Sequence, residues 1–343
     1  MPKVSRRRFI SAAVGGAIVA AGAFGYSQYI ENISRTNMSS PSPSQSARTT
    51  TQPPPNDALT PTTAPPTSLP TPPGNAAYLA VTRGKDPVRI LQKAVTALGG
   101  MERFVKPGHS VIIKPNICVD YRSYEYAATT NPEIVSALTT LCLRAGAKLV
   151  RVMDRPFGGT PEQAYATSGI GEAVRAAGGQ MEIMSGVKYR EAPIPYGKDI
   201  TRWPVYGDIL DADVLINVPI AKQHSLSRLT LGMKNLLGIV QNPNRFHSNL
   251  GQRLADLASI VRPALTVVDA VRILRDHGPT GGSLDDVATT NTVIASHDVV
   301  AADAYAATLF GLTGSDISSV RAAAQMGLGT LDLSNVKVEE MTL

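Results

Sequence analysis

Five short apolar runs constrain this chain most: "SVIIKPN", "AKLVRVMD", "ADVLINVP", "ALTVVDAV" and "NTVIASHD". Each is rich in Val and Ile and lacks the polar alternation of a half-exposed strand, so each reads as a strand covered on both faces. Helical patterns separate or follow them. "NPEIVSALTTLCLRAGA" has Asn131 placed to cap and Pro132 at the first helical position, and "TPEQAYATSGIGEAVRAAG", "NLGQRLADLASIV" and "VVAADAYAATLFG" complete the set. The repetition predicts an α/β fold, a mostly parallel sheet flanked by helices in a Rossmann-like three-layer arrangement. "VKYREAPIPYGKDITRWPVYGDIL" breaks the rhythm and predicts a small antiparallel excursion.

These patterns begin only after residue 75. Residues 1–33 open with a basic segment followed by an uncharged stretch from Phe9 to Ile30, and Ser5-Arg6-Arg7-Arg8-Phe9-Ile10 resembles the twin-arginine export signal. Ala21-Gly22-Ala23 suits a signal peptidase, while the same apolar run, left uncleaved, would serve as an N-terminal membrane anchor. Residues 34–75 are dominated by Ser, Thr, Pro and Gln; they cannot bury enough apolar surface to offset their ordering entropy and read as a disordered spacer. Residues 76–343 are the expected folded domain. The expected setting is therefore periplasmic or otherwise extracytoplasmic, membrane-tethered if the leader stays, with the twin-arginine translocase as a partner.

The net charge of +6 belongs mainly to the leader: residues 1–75 hold six basic and two acidic side chains, leaving 27 basic against 25 acidic in the rest. A nearly neutral domain lacks the clustered basic face that phosphate backbones require, which argues against nucleic acid as a partner. The two cysteines, Cys118 and Cys142, have no close-spaced metal motif. One disulfide is compatible with an oxidising compartment, but buried structural thiols are the simpler reading, and Cys142 falls in an apolar helix.

Ligands of open parallel sheets bind beyond the carboxyl ends of the strands. Here the runs end on Lys114 and Asn116, on Asp154 and Arg155, on Asn217 followed by Lys222 and His224, on Asp269, and on His297 with Asp298. The aspartates could equally be helix caps. Lys234 and Asn235 lie inside "LTLGMKNLLGIV", apolar enough to be buried, and a buried ammonium needs a partner or a shifted pKa. Gly232 and Gly238 flank the pair in a segment that otherwise suits a helix, and such glycines mark close approach by a ligand or another backbone. Lys114, Asn116, Lys222, His224, Lys234 and Asn235 are therefore expected to converge on one pocket. The loop "HGPTGG", Gly278 to Gly282, could meet a phosphate through backbone amides.

In order and character, Lys114-Pro115-Asn116, Thr130-Asn131-Pro132, Lys222-Gln223-His224, Met233 through Gly238, His247, Val268-Asp269-Ala270, Gly278-Pro279 and Asp298 through Asp303 resemble the bacterial and archaeal domain of unknown function 362 family. The resemblance runs from about Val111 to Phe310. It implies no settled activity; some members carry ferredoxin-type iron-sulfur modules and many are exported by the twin-arginine route. This chain has no CxxCxxC cluster, so no self-contained iron-sulfur motif.

Two functional classes follow. In the first, the protein is an enzyme acting on a small anionic molecule: Lys114, Asn116, Lys234, Asn235 and Asp269 bind it, and His224, His247 and Lys222 supply the catalytic groups. In the second, it is a metal-binding, iron-sulfur-associated or redox accessory protein, with His224, His247, Asp269 and Cys118 as the candidate ligands of a metal ion.

Overall fold

The structure, a computed structural model, describes residues 76–343; the leader and the Pro-rich spacer lie outside the described residues. In chain order the strands are β1 (Leu79–Arg83), β2 (Ser110–Pro115), β3 (Leu149–Val152), β4 (Gln180–Met181), β5 (Tyr189–Pro193), β6 (Arg202–Tyr206), β7 (Val214–Val218), β8 (Ile220–His224), β9 (Arg228–Thr230), β10 (Leu265–Leu274), β11 (Val287–Ser296) and β12 (Val338–Thr342). The main sheet runs in the order β12-β1-β11-β10-β7-β2-β3-β4.

Alternate residues of its strands enter two cores, one on each face. Val111 and Ile113 pack on one side with the helices Pro87–Ala97 and Pro132–Arg144, whereas Ile112 joins the other side with the helices Leu250–Ile260 and Val299–Ala307. The same division separates Ile216 from Leu215, Val267 from Val268 and Val293 from Ile294. Both faces being apolar, the runs carry no polar alternation, which is why they read as buried strands. The structure is thus the expected mostly parallel, three-layer α/β arrangement, and β5 and β6 form the antiparallel excursion as a separate two-stranded sheet.

Four expectations change. First, β11 runs antiparallel to both β1 and β10, so His297 and Asp298 emerge at the opposite edge of the sheet from the other strand ends. A strand covered on both faces has the same composition in either direction, and only its partners set its sense. Asp298 there caps the helix Val299–Ala307, accepting from the amides of Val300 and Ala301. Second, "TPEQAYATSGIGEAVRAAG" forms two helices, Pro161–Thr167 and Ile170–Ala176, parted at Gly169, whose φ of 73° is left-handed. Third, the edge pair β1 and β12 stands beyond the five runs. Fourth, "LTLGMKNLLGIV" is helical only over Gly232–Asn235, then continues as a 3-10 turn over Leu236–Ile239.

The stretch from Leu215 to Asn235 changes course at the sheet's carboxyl edge. Asn217 on β7 lies opposite Lys114 on β2. After Pro219 the chain enters β8, which pairs with the far half of β10 and turns back through β9. The helix Gly232–Asn235 then returns beneath the strand ends and brings Lys234 and Asn235 to them.

Candidate functional site

β2 and β7 are neighbours, and the side chains at their ends interlock. Lys114 is 1% exposed and its Nζ has three acceptors: Asp154 Oδ1 at 2.6 Å, the Pro115 carbonyl at 2.9 Å and Asn235 Oδ1 at 2.9 Å. Burial drives the Lys114 pKa down, Asp154 opposes this, and the nearby Lys222 and Arg155 add to it. Asn235 Oδ1 also accepts from Asn116 Nδ2 at 3.0 Å, and Asn235 Nδ2 donates to Asn217 Oδ1 at 2.9 Å. Lys222 Nζ donates to Asn116 Oδ1 at 2.9 Å and to the Ala128 carbonyl at 2.6 Å. Four of the six residues expected to converge are thus bonded to one another at the carboxyl edge, and Lys234 and His224 lie close enough to feel the charge of Lys222. Gly238 makes the packing feasible, because a Cβ there would stand 2.6 Å from Asp154 Oδ1 and 2.9 Å from Lys114 Nζ.

Counting protons divides the six into a frame and a working set. A lysine has three N–H groups and an asparagine amide two. Lys114 and Asn235 spend theirs internally, so both are struts, which corrects their expected role as ligand-binding groups. The side chain of Lys222 also bonds Cys118, so its three N–H groups are engaged and only its charge remains to offer, whereas Asn116 keeps one N–H. Lys234 is half-buried and, among the described residues, makes no hydrogen bond or ion pair. Its pKa falls to about 8, chiefly through desolvation and then through the charges of Lys222 and Lys114.

The short helix beneath Lys234 is held by a residue the sequence reading did not assign to the site. Asp303, 1% exposed on the helix Val299–Ala307, accepts from the Gly232 amide at 2.6 Å and the Met233 amide at 2.8 Å. Desolvation pushes its carboxyl up to about 7 against those two bonds. Gly232 is required because a Cβ would lie 2.8 Å from Asp303 Oδ1. Asp154 and Asn217, which the sequence marked as strand-end polar residues without assigning them a site role, are further members of the frame.

Other expected members take different roles. Asp269 is fully buried, with Oδ2 accepting from the Asn131 amide at 2.7 Å and Oδ1 from the Val271 amide at 3.0 Å, so it anchors the start of the helix Pro132–Arg144 instead of meeting a ligand. Burial raises its pKa to about 6. His224 Nδ1 accepts from the Leu226 amide at 3.1 Å, which places the ring proton on Nε2. Burial first, then Lys234 and Lys222, holds its pKa at about 3. A histidine that stays neutral and presents only N–H is a hydrogen-bond donor, not the proton carrier it was expected to be. His247 sits exposed on the 3-10 turn Pro243–Asn249, its pKa lowered by desolvation and by the charge of Lys234.

The metal reading loses its ligand set: among the described residues no three His, Cys, Asp or Glu side chains gather to hold an ion. Both cysteines are free and buried. Cys118 Sγ lies 3.6 Å from the Pro279 carbonyl, and burial raises its thiol pKa although Lys222 and Lys234 oppose this. The glycine-rich loop is likewise already engaged, with the Gly278 amide on Gln223 Oε1 at 2.7 Å and the Gly282 amide on Asp286 Oδ2 at 2.8 Å.

Fold and site together define a three-layer α/β protein with a lysine-rich centre at the carboxyl edge of its sheet. The chain belongs to the family called domain of unknown function (DUF362), whose model matches residues 111–308. A thylakoid-associated protein of Synechocystis sp. is 28% identical in an alignment 257 positions long that covers 69% of this chain and 74% of that protein. Among solved structures, the lactate racemase apoprotein of Thermoanaerobacterium thermosaccharolyticum matches with a TM-score of 0.42 and 10% identity, over 68% of this chain and 56% of that one. A protein from Thermotoga maritima matches with a TM-score of 0.35 and 12% identity, over 71% of this chain and 60% of that one. The chain thus spans less than two thirds of either, and so distant a likeness says nothing about chemistry.

Proposed function

We propose that the protein is an exported enzyme that binds and transforms a small anion at the carboxyl edge of the sheet. One observation carries this reading: three lysines, Lys114, Lys222 and Lys234, crowd together against the single carboxylate of Asp154, and the ammonium of Lys234 has no partner among the described residues. An anion would relieve the mutual repulsion that adds to desolvation in lowering the pKa values of Lys114 and Lys234. The Nζ of Lys234, the remaining N–H of Asn116 and the Nε2–H of His224 are the donors available to it, with the charge of Lys222 beside them.

Thermal-shift and calorimetric titration with small carboxylates and with phosphate tests the site. The purified domain should be stabilised by at least one of these anions, and Lys222→Met should weaken that binding by roughly tenfold or more, the loss of one charge beside the anion. Equal affinity in wild type and variant would refute an anion site.

Export rests on the Arg6-Arg7 pair and the weakly apolar run behind it, and the thylakoid-associated relative is in keeping with a protein working at a membrane face. Replacing both arginines with lysine should leave the precursor in the cytoplasm on cell fractionation. Undiminished export would sink the twin-arginine reading.

A further inference from the structure

We propose that Lys234 is a nucleophile whose Nζ condenses with the carbonyl of a small 2-oxo acid, the acid's carboxylate resting on the N–H that Asn116 keeps free, beside the charge of Lys222; this rests on the anion-site reading above.

The three lysines are not equivalent as amines. Imine formation needs a nitrogen lone pair that is neither protonated nor engaged. Lys114 is surrounded by Asp154, the Pro115 carbonyl and Asn235, and Lys222 is held by Asn116 and the Ala128 carbonyl. Lys234 alone of the three has no such bond among the described residues, and its half-buried position keeps it reachable. Its backbone is fixed by the two bonds from Asp303, so the nitrogen is offered from a rigid base. With a pKa of about 8, roughly a tenth of it is neutral at pH 7, a few hundredfold more than in an unperturbed lysine. Burial produces most of this state, and the neighbouring cations that add to it are also the charges that attract an acid group.

The step balances as follows. The lone pair of Nζ forms a bond to the carbonyl carbon as the C=O π pair moves to oxygen. One Nζ proton passes to that oxygen and a solvent proton joins it, so the oxygen leaves as water and the nitrogen pair completes a C=N bond. His224 Nε2–H, which does not titrate in the physiological range, is the donor for the developing oxygen charge. The product is an iminium cation, which the charges of Lys222 and Lys114 destabilise as they do the ammonium of Lys234. It requires a counter-ion, and a carboxylate on the substrate supplies one. Oxo acids are therefore favoured over neutral aldehydes and ketones.

Pyruvate with cyanoborohydride tests this on the full chain, by mass spectrometry of the digested protein. The reduced adduct should map to Lys234, rise in yield as the pH is raised through about 8, and be at least about tenfold weaker with acetone, which lacks the carboxylate. Lys234→Arg should abolish trapping while pyruvate still raises the melting temperature. If wild type is stabilised by pyruvate but no adduct forms on Lys234, or labelling spreads evenly over surface lysines, the imine proposal fails and the anion site stands. If neither pyruvate nor any other small anion binds wild type, both readings fail.

Discussion

Lys234 shows how one side chain can hold a cost that its neighbours impose. Its pKa of about 8 lies below the ordinary lysine value, so the folded protein binds fewer protons than the unfolded chain between about pH 8 and 10.5. The charged form therefore penalises folding fully below pH 8, and the penalty fades as the pH rises towards 10.5. Lys234→Met keeps the methylene volume and removes the charge. In chemical denaturation at pH 7 it should be more stable than wild type by about 1–2 kcal/mol, allowing for the partial exposure of the group. The difference should vanish near pH 10.5; a variant less stable at pH 7 would mean that the ammonium has a structural partner. His224 is the complementary lesson. Its residue type suggested proton transfer, but a single backbone amide on Nδ1 turns it into a fixed donor.

At the scale of the element, the four-residue helix Gly232–Asn235 is too short to persist by its own hydrogen bonds. Asp303 takes its first two free amides, Gly232 permits the approach, and Asn235 ties its end to β2 and β7. Asp303→Ala would leave both amides buried without acceptors, a cost of about 2–4 kcal/mol. The variant should melt at lower temperature and lose anion binding together, because Lys234 rides on this helix. Retention of binding at full strength would show that the helix is held by its apolar side chains Met233 and Leu236 alone. The same reasoning explains why "LTLGMKNLLGIV" misleads as sequence: its apolar content suits a longer helix, but β9 and the 3-10 turn are imposed by the sheet edge on one side and the second core on the other.

At the scale of the whole molecule, β12 covers the outer edge of β1, and Leu79 and Val81 are fully buried. Removing residues 336–343 would leave the outer backbone edge of β1 unpaired and able to pair with another copy. Sedimentation and light scattering of the truncated domain should show concentration-dependent association; a monomer with unchanged melting temperature would mean that β1 needs no cover.

The sequence by itself determined which segments become buried strands, because Val and Ile runs without polar alternation satisfy both faces of a covered sheet. It also marked the Asn131 cap and the polar residues at the strand ends, and their convergence needed only that β2 and β7 be neighbours. It could not determine the direction of β11, since apolar composition is the same read either way. Nor could it divide Lys114 and Asn235 from Lys222 and Lys234, since residue type counts donors and only the tertiary structure places acceptors around them. That placement gives Lys114 three acceptors and leaves Lys234 with none among the described residues.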